Sequence, residues 1–471
     1  MKHLESEGLR EDIEKKWEFD IIPMLKRYIE IPNQSPLYDP NWEANGYMQE
    51  AVNLFRTWAE AQGIRGLTVE EMHLPGRTPV LLFEIPGTGD QRVLLYGHLD
   101  KQPEMQGWDA DKGPWKAVLQ DDKLYGRGGA DDGYAMFAAL SAILALQQAG
   151  KSHPTCFVLI EASEESGSND LPAYLEQIQM KIGTPNQVIC LDSGAGDFNA
   201  VWGTVSLRGV VGFEIDVRIL KEGLHSGISG GVVPSWFDVV SQLWSRVVDP
   251  RSGRVRVPHL HVEIPDSIRS QIANTASVLG DSFYDMYPLV PGARTLGESV
   301  ESAILARTWE PALTIVGIDG VPSCAKGGNV NLPQVTVKFS MRTPPTLSAE
   351  TAGRVLKEVL EVDPPFGVEV KLRGLEGASG WVAPPMSAAF SEIIEQASQI
   401  AFDQPAQFVG EGASIPFMGM LGERFPKAQF LITGVLGPRT NAHGPNEFLP
   451  IPMVKKLTHA LAIILHKLST L

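Results

Sequence analysis

The sequence predicts an α/β domain, its mixed and mostly parallel sheet flanked by helices, interrupted by an inserted α+β domain. Up to residue 206, short continuous apolar runs alternate with helical stretches, as expected of strands covered by helices on both faces. From about residue 207 the pattern becomes strict apolar-polar alternation, the mark of sheet with one solvent-facing side. Beyond 378, amphipathic helix and one more buried run return. A chain of 471 residues is long enough for two or three domains. The reading therefore assigns 1–206 and 379–471 to the first domain and 207–378 to the second, each near the usual domain size.

Taken in order, Trp17, Ile21, Leu25 and Tyr28 recur at helical spacing within 9–31, as do Tyr47, Val52, Phe55 and Trp58 within 44–62, where Gly63 supplies a stop. Apolar runs at 80–85, 93–96, 156–160 and 188–191 read as strands, with helices at 132–149 and 170–180 between and after them. Val211, Phe213, Ile215, Val217 and Ile219 alternate with polar or small residues, as do Val335, Val337, Phe339 and Met341. Helices are expected at 234–247, with Pro234 in its first turn, and at 347–361. Helices at 386–401 and 452–469 and a strand at 429–433 complete the chain, which has no internal repeat or low-complexity linker.

Composition narrows the function. Apolar residues are 43% and charged residues 20%, ordinary globular usage that excludes disorder and fibrous structure. The 46 glycines and 34 prolines predict many loops, where binding and catalytic groups are commonly mounted. A net charge of −16 repels nucleic-acid phosphate and anionic lipid, so neither nucleic acid nor membrane is an expected partner. Cys156, Cys190 and Cys324 are too few for a disulfide framework. The acidic N-terminus lacks a signal-peptide core, and the longest apolar stretch, 135–146, is too short to span a bilayer. The expectation is a soluble cytoplasmic protein.

The residues that carry chemistry follow predicted strands, at the end where open α/β sheets bind ligands. His98-Leu99-Asp100 places an imidazole and a carboxylate on one side of a strand end, a ligand with an acid to fix its tautomer. Gly126-Arg127-Gly128-Gly129-Ala130-Asp131-Asp132-Gly133 opens a helix. One Asp there would serve as an N-cap. A phosphate loop lacks the Lys and Ser or Thr it needs. Strand 156–160 runs into Glu161-Ala162-Ser163-Glu164-Glu165-Ser166-Gly167-Ser168, and strand 188–191 into Asp192-Ser193-Gly194. If these ends share one crevice, Asp100, Asp131, Glu164, Glu165 and Asp192 cannot all ionise without a cation, and one or two divalent metal ions resolve the conflict. His443, in the turn-rich run Thr440-Asn441-Ala442-His443-Gly444, is the remaining imidazole candidate. His259 and His261 share a strand face as a candidate extra metal site but lack a third ligand nearby.

Jointly these motifs resemble the co-catalytic metallopeptidase family of carnosine dipeptidase, glutamate carboxypeptidase and succinyl-diaminopimelate desuccinylase, over nearly the whole chain. The dipeptidase branch is nearest, through Glu164-Glu165-Ser166-Gly167-Ser168, Gly223-Leu224-His225-Ser226-Gly227 and Glu411-Gly412-Ala413-Ser414-Ile415-Pro416. The resemblance implies a catalytic di-metal domain with an inserted lid and dimerisation domain. It makes Asp131 the bridging ligand, with His98 and Asp192 on one ion and Glu165 and His443 on the other. Glu164 becomes the general base that takes a proton from the water between the ions to give hydroxide, and Asp100 orients His98. His225 becomes a lid histidine that reaches the partner subunit's site in a homodimer. Arg342, with Ser414 and Asn329, is expected to bind substrate, Arg342 holding its carboxylate. The Asp131–Asp132 peptide is expected to be cis. Nitrogen and oxygen ligands without thiolate admit zinc first, then manganese or cobalt.

The implied activity is metallopeptidase hydrolysis of dipeptides or short peptides with a free C-terminal carboxylate, in the manner of a dipeptidase or carboxypeptidase. One alternative is an N-acyl amino acid deacylase such as succinyl-diaminopimelate desuccinylase. A second, of another class, is an inactive binding protein on the same scaffold. Lys101, Gly327-Gly328-Asn329 and Gly437-Pro438-Arg439 depart from the family pattern, and Lys101 is expected to add charge at the rim of the metal site.

Overall fold

The computed structural model describes residues 2–471. Strands Thr155–Glu161, Arg92–His98, Gln187–Cys190 and Gln429–Ile432 lie side by side and parallel at the centre of a nine-stranded sheet. Val80–Ile85 and Thr68–Met72 extend it antiparallel on one side. Trp202–Leu207 joins the other side antiparallel to Gln429–Ile432, and Gln407–Glu411 pairs with it in parallel.

The continuous apolar runs reflect burial on both faces. Side chains alternate across a strand, so Val93 and Leu95 enter one core while Leu94 and Tyr96 enter the other. The first core is closed by helices Ile22–Ile29, Tyr47–Ala61, Tyr134–Gln148, Ala388–Phe402 and Ile451–Leu468. Helices Leu175–Ile182 and Pro416–Arg424 close the second. Tyr134 to Leu146 is buried on every side, because this helix packs between the sheet and Ile451–Leu468. Among the described residues, no helix is long and apolar enough to cross a membrane.

The expected opening helix is continuous from Lys2 through a π turn at Trp17–Ile21 to Ile29. Gly63 has φ 68°, suited to ending the helix before it.

Ala312–Asp319, Gln334–Thr343, Gly209–Arg218 and Glu369–Ala378 form a second sheet, antiparallel throughout. Val211, Phe213, Ile215 and Val217 face the same core as Val335, Val337, Phe339 and Met341, as their alternation predicts. Helices Trp236–Val247 and Ala349–Glu361 cover that face, and the Phe213 and Phe339 rings stack 5.1 Å apart. Pro234 does not begin its helix as expected. Ser235 is the N-cap, in a reciprocal capping box with Asp238, and Pro234 precedes it.

Helices Asp266–Leu279 and Val300–Thr308 lie in sequence between strands of the second sheet, yet Ile272, Leu279, Ile304 and Trp309 are buried in the larger core. They pack on Gln407–Glu411, whose Gly410 admits the Thr308 side chain.

Candidate metal centre

The parallel strands bring their C-terminal ends to one place. His98 ends its strand, and Asp192 follows Cys190 on the neighbouring one. Asp131 comes from the glycine-rich turn, and Glu164 and Glu165 from the loop after Thr155–Glu161. Gly97 lets the turn approach: a Cβ there would lie 2.5 Å from the Ala135 Cβ and 2.6 Å from Asp132 Oδ2. That carboxylate accepts the His98 backbone N–H at 3.2 Å.

Asp131 sits between two imidazoles. His98 Nε2 is 3.2 Å from its Oδ1, and His443 Nε2 is 3.0 Å from its Oδ2. His98 also approaches Asp192 at 3.8 Å, and His443 approaches Glu165 at 3.3 Å. Two ligands of one tetrahedral zinc, each at about 2.0–2.1 Å, stand about 3.3 Å apart. The spacing and the nitrogen-oxygen donor set therefore fit a pair of divalent ions sharing Asp131. Two overlapping trios also lie within 4.8 Å, His98 with Asp131 and Glu165, and His98 with Asp132 and Asp192. In the second, Asp132 spends one oxygen on the His98 backbone while the other, buried, has no hydrogen-bond partner. The Asp131–Asp132 peptide is cis, as the resemblance implies.

Asp100 acts behind these groups. Its Oδ1 lies 3.4 Å from His98 Nδ1, and its two oxygens accept the backbone N–H groups of Glu164 and Glu165 at 3.1 and 3.0 Å. One buried carboxylate thus ties the histidine to both glutamates.

Ionisation shows how charged the cluster is. Burial opposes a charged imidazole at His443, yet Asp131 and Glu165 push it up to about 12. Burial favours a neutral Asp131, but hydrogen bonds from His443 and His98 hold its carboxyl well below the usual range. Burial raises Asp192 to about 7, and raises Glu164 well above its ordinary value with help from the Asp192 charge. Such shifts are the response of crowded acids lacking enough cationic charge.

The sequence pattern of peptidase family M20/M25/M40 matches residues 94–467. The chain belongs to that family. It is a metallopeptidase. Among M20/M25/M40 relatives it is 27% identical over 395 residues to Cys-Gly metallodipeptidase dug1 of Schizosaccharomyces pombe, covering 80% of each chain. It is 26% identical over 432 residues to Beta-Ala-His dipeptidase of Homo sapiens, covering 88% of this chain and 83% of the relative. The structure of human carnosine dipeptidase 1 shares the fold with a TM-score of 0.79 at 22% identity, over 99% of both chains.

A cavity of about 400 Å³ opens beside the cluster, lined by Asp131, Glu164, Asp192, Glu411, Ser414 and His443 among others. Arg342 reaches Ser414, donating from Nη1 to Oγ at 3.1 Å. His225 and Asn329 are not in the lining. Both are exposed: His225 lies on one of a separate pair of short strands, Leu224–His225 and Val330–Asn331, and Asn329 immediately precedes the other, its carbonyl accepting the Ser226 N–H. His261 Nε2 faces the Val255 carbonyl at 2.9 Å, and no metal-holding group forms around His259 or His261 among the described residues.

Lys101 is not at the rim. It is fully buried, its Nζ donating to the carbonyls of Tyr28 and Ile31 at 2.7 Å each, so its charge closes the end of a helix and stays out of the cavity. Sequence reasoning missed Glu411 as a separate charged wall. The signal was weak, because the strand it ends, Gln407–Glu411, is interrupted by Gly410 and does not read as an apolar run.

Metal loading should release protons near pH 7. Ligation needs neutral imidazole, whereas the raised His443 stays protonated at that pH in the metal-free chain. Apparent affinity should accordingly rise with pH. Zinc titration calorimetry in buffers of different ionisation enthalpy measures this, and heat independent of buffer would contradict it.

Proposed function

We propose that this peptidase hydrolyses the amide bond of free dipeptides and short peptides, using two divalent ions, zinc first and manganese or cobalt as alternatives. The observation that carries the reading is the single carboxylate of Asp131 set between His98 and His443. His98, Asp131 and Asp192 would hold one ion, and Asp131, Glu165 and His443 the other. Bound there, the ions supply positive charge that polarises the scissile carbonyl and acidifies water.

Glu164 lines the cavity beside these ligands and is the general base. It takes a proton from the attacking water and returns it to the leaving amine. Asp100 positions it through the backbone hydrogen bond at 3.1 Å. Outside the lining but bonded to its Ser414, Arg342 is half-buried with, among the described residues, no carboxylate in ion-pair distance. Its fork of donors suits a substrate carboxylate.

Glu411 favours a free amino terminus over an N-acyl substrate. Its Oε1 accepts the Gly412 N–H at 2.8 Å, and Oε2 lies against Gly194, near Asp192. Among the described residues it makes no ion pair, although the Arg208 guanidinium is near enough to feel its charge, so the cavity offers a substrate ammonium a carboxylate that an acylated nitrogen would leave without an ion-pair partner. The names of the relatives, a Cys-Gly metallodipeptidase and a Beta-Ala-His dipeptidase, support the same choice.

His225 lies outside the cavity wall, so it serves this chemistry by lid movement or from a second subunit. Ile228, Val232 and Phe237, 70%, 82% and 62% exposed, follow it in sequence and suit a subunit contact. The reading is a homodimer in which the partner subunit's His225 stabilises the oxyanion and Asn329 contributes beside it. The three free cysteines, two of them buried, agree with a cytoplasmic setting.

A panel of dipeptides and N-acyl amino acids tests the proposal. Glu411→Gln should raise KM for free dipeptides by about 10-fold to 100-fold, the worth of a charge-assisted hydrogen bond. Preferred turnover of N-acyl amino acids would overturn the substrate reading.

Glu164→Gln should keep both ions and lose about 100-fold to 10,000-fold in kcat. Near-normal turnover with metal content verified would refute the base.

For the dimer, two dead variants, His225→Ala and Glu164→Gln, should regain activity on mixing. Random exchange leaves about a quarter of sites with both residues intact. Verified exchange without recovery would place His225 within its own chain or outside the reaction.

A further inference from the structure

We propose that the buried pair Arg127 and Glu447 is a positioning device that sets His443 against Asp131 and so fixes the affinity for the ion on the His443 side. The inference rests on the two-ion reading of the centre and adds residues that touch neither ion nor substrate.

Within the loop that carries His443 the Gly444 N–H donates to the Asn441 carbonyl and the Asn441 side-chain amide to the Pro445 carbonyl, but neither bond ties the loop to Asp131. Arg439, Asn441, His443 and Asn446 all have positive φ, at 64°, 56°, 65° and 58°, a conformation costly for residues with a Cβ and maintained only by surrounding contacts. The His443 side chain is itself 56% exposed. Neighbouring side chains therefore cannot hold it by packing alone.

Arg127 and Glu447 supply the missing constraint. Their side chains are 1% and 0% exposed and meet at 2.6 Å. Arg127 Nη2 donates to the carbonyls of His443 and Gly444 at 3.2 and 2.9 Å. Glu447 Oε1 accepts the N–H groups of Gly128 and Ala130 at 3.0 and 3.4 Å, in the turn just before Asp131. One ion pair thus grips the backbone at one ligand and within a residue of the other. The turn is supported from beneath as well, because the Lys101 stem fills the space a Cβ on Gly128 would need.

Two substitutions probe the clamp. Arg127→Lys keeps the charge, but a single ammonium lacks the fork that reaches a carboxylate and two carbonyls together. Glu447→Gln keeps the size and loses the charge. Zinc alone is titrated into metal-free wild type and each variant, with a chromophoric chelator in competition, and folding is followed by circular dichroism. Wild type should bind two ions per chain. Each variant should bind the ion on the His443 side at least 10-fold more weakly, the range seen when the groups supporting a metal ligand are lost, and the other ion, which shares only Asp131 with it, with a clearly smaller loss.

Unchanged affinity for both ions would overturn the clamp, and so would equal weakening of both, which marks a general structural role. If Arg127→Lys fails to fold, Glu447→Gln decides. If neither folds, the pair is a folding element and the proposal falls. A wild-type chain that binds fewer than two ions would instead sink the two-ion reading beneath it.

Discussion

A buried carboxylate held between two imidazoles sets the terms for everything around it. Asp131 is almost inaccessible, and its two oxygens face different histidines brought from opposite ends of the chain. Acids this deep ionise only when positive charge is near. Asp192, Glu164 and Glu165 crowd the same space, and burial pushes all three toward their neutral forms. A protein that keeps such a cluster carries a standing electrostatic demand, and the fold is arranged to place that demand where divalent cations can meet it.

Parallel strands are the means. Because neighbouring parallel strands end on the same side, His98, the glutamate loop and Asp192 reach one rim without further adjustment. The remaining ligands come from irregular backbone. Asp131 sits in a turn that approaches the strand only because residue 97 lacks a side chain. His443 sits in a loop of left-handed residues held by a buried ion pair. Regular structure supplies half of the site cheaply in strain, while the other half depends on specific polar contacts from distant segments.

That division explains what the sequence revealed. The central strands announce themselves as apolar runs, and the second sheet by alternation, because burial imposes a local period on each. His98, Glu164, Glu165 and Asp192 were legible since each follows such a run, whereas Asp131 lies in a glycine-rich turn and His443 in a loop that follow none. Strands Trp202–Leu207 and Gln407–Glu411 were not, since Gly203, Thr204, Ser206 and Gly410 interrupt their apolar character. Helices Asp266–Leu279 and Val300–Thr308 carry no sign of which core they join, because that choice is made by tertiary contact. Lys101 was misjudged for a similar reason: lysines are rarely buried, and nothing near position 101 announces the three helix-end carbonyls that receive its ammonium.

The charge balance bears on how the centre reads its ligands. Asp100, Asp131, Asp132, Glu161, Glu165, Asp192 and Glu447 are all buried, against one buried lysine, Lys101, and two buried arginines, Arg127 and Arg208. Lys101 is turned toward a helix end, Arg127 toward Glu447, and Arg208 toward the carbonyls of Ala306, Glu310 and Gly412, so none of the three pairs with the acids of the metal cluster. Two divalent ions supply most of the missing charge. The balance closes further if Glu161, which burial pushes up to about 7, keeps its proton among Tyr96 and Ser168. Positive charge around the cavity then comes from the ions, from Arg439 in its lining, and from Arg342, which reaches the lining through Ser414. Under the proposed function, a zwitterionic substrate would find complementary charge at both ends of this field, its carboxylate at Arg342 and its ammonium at Glu411. The electrostatics that make the site bind cations would then also orient a free peptide across it.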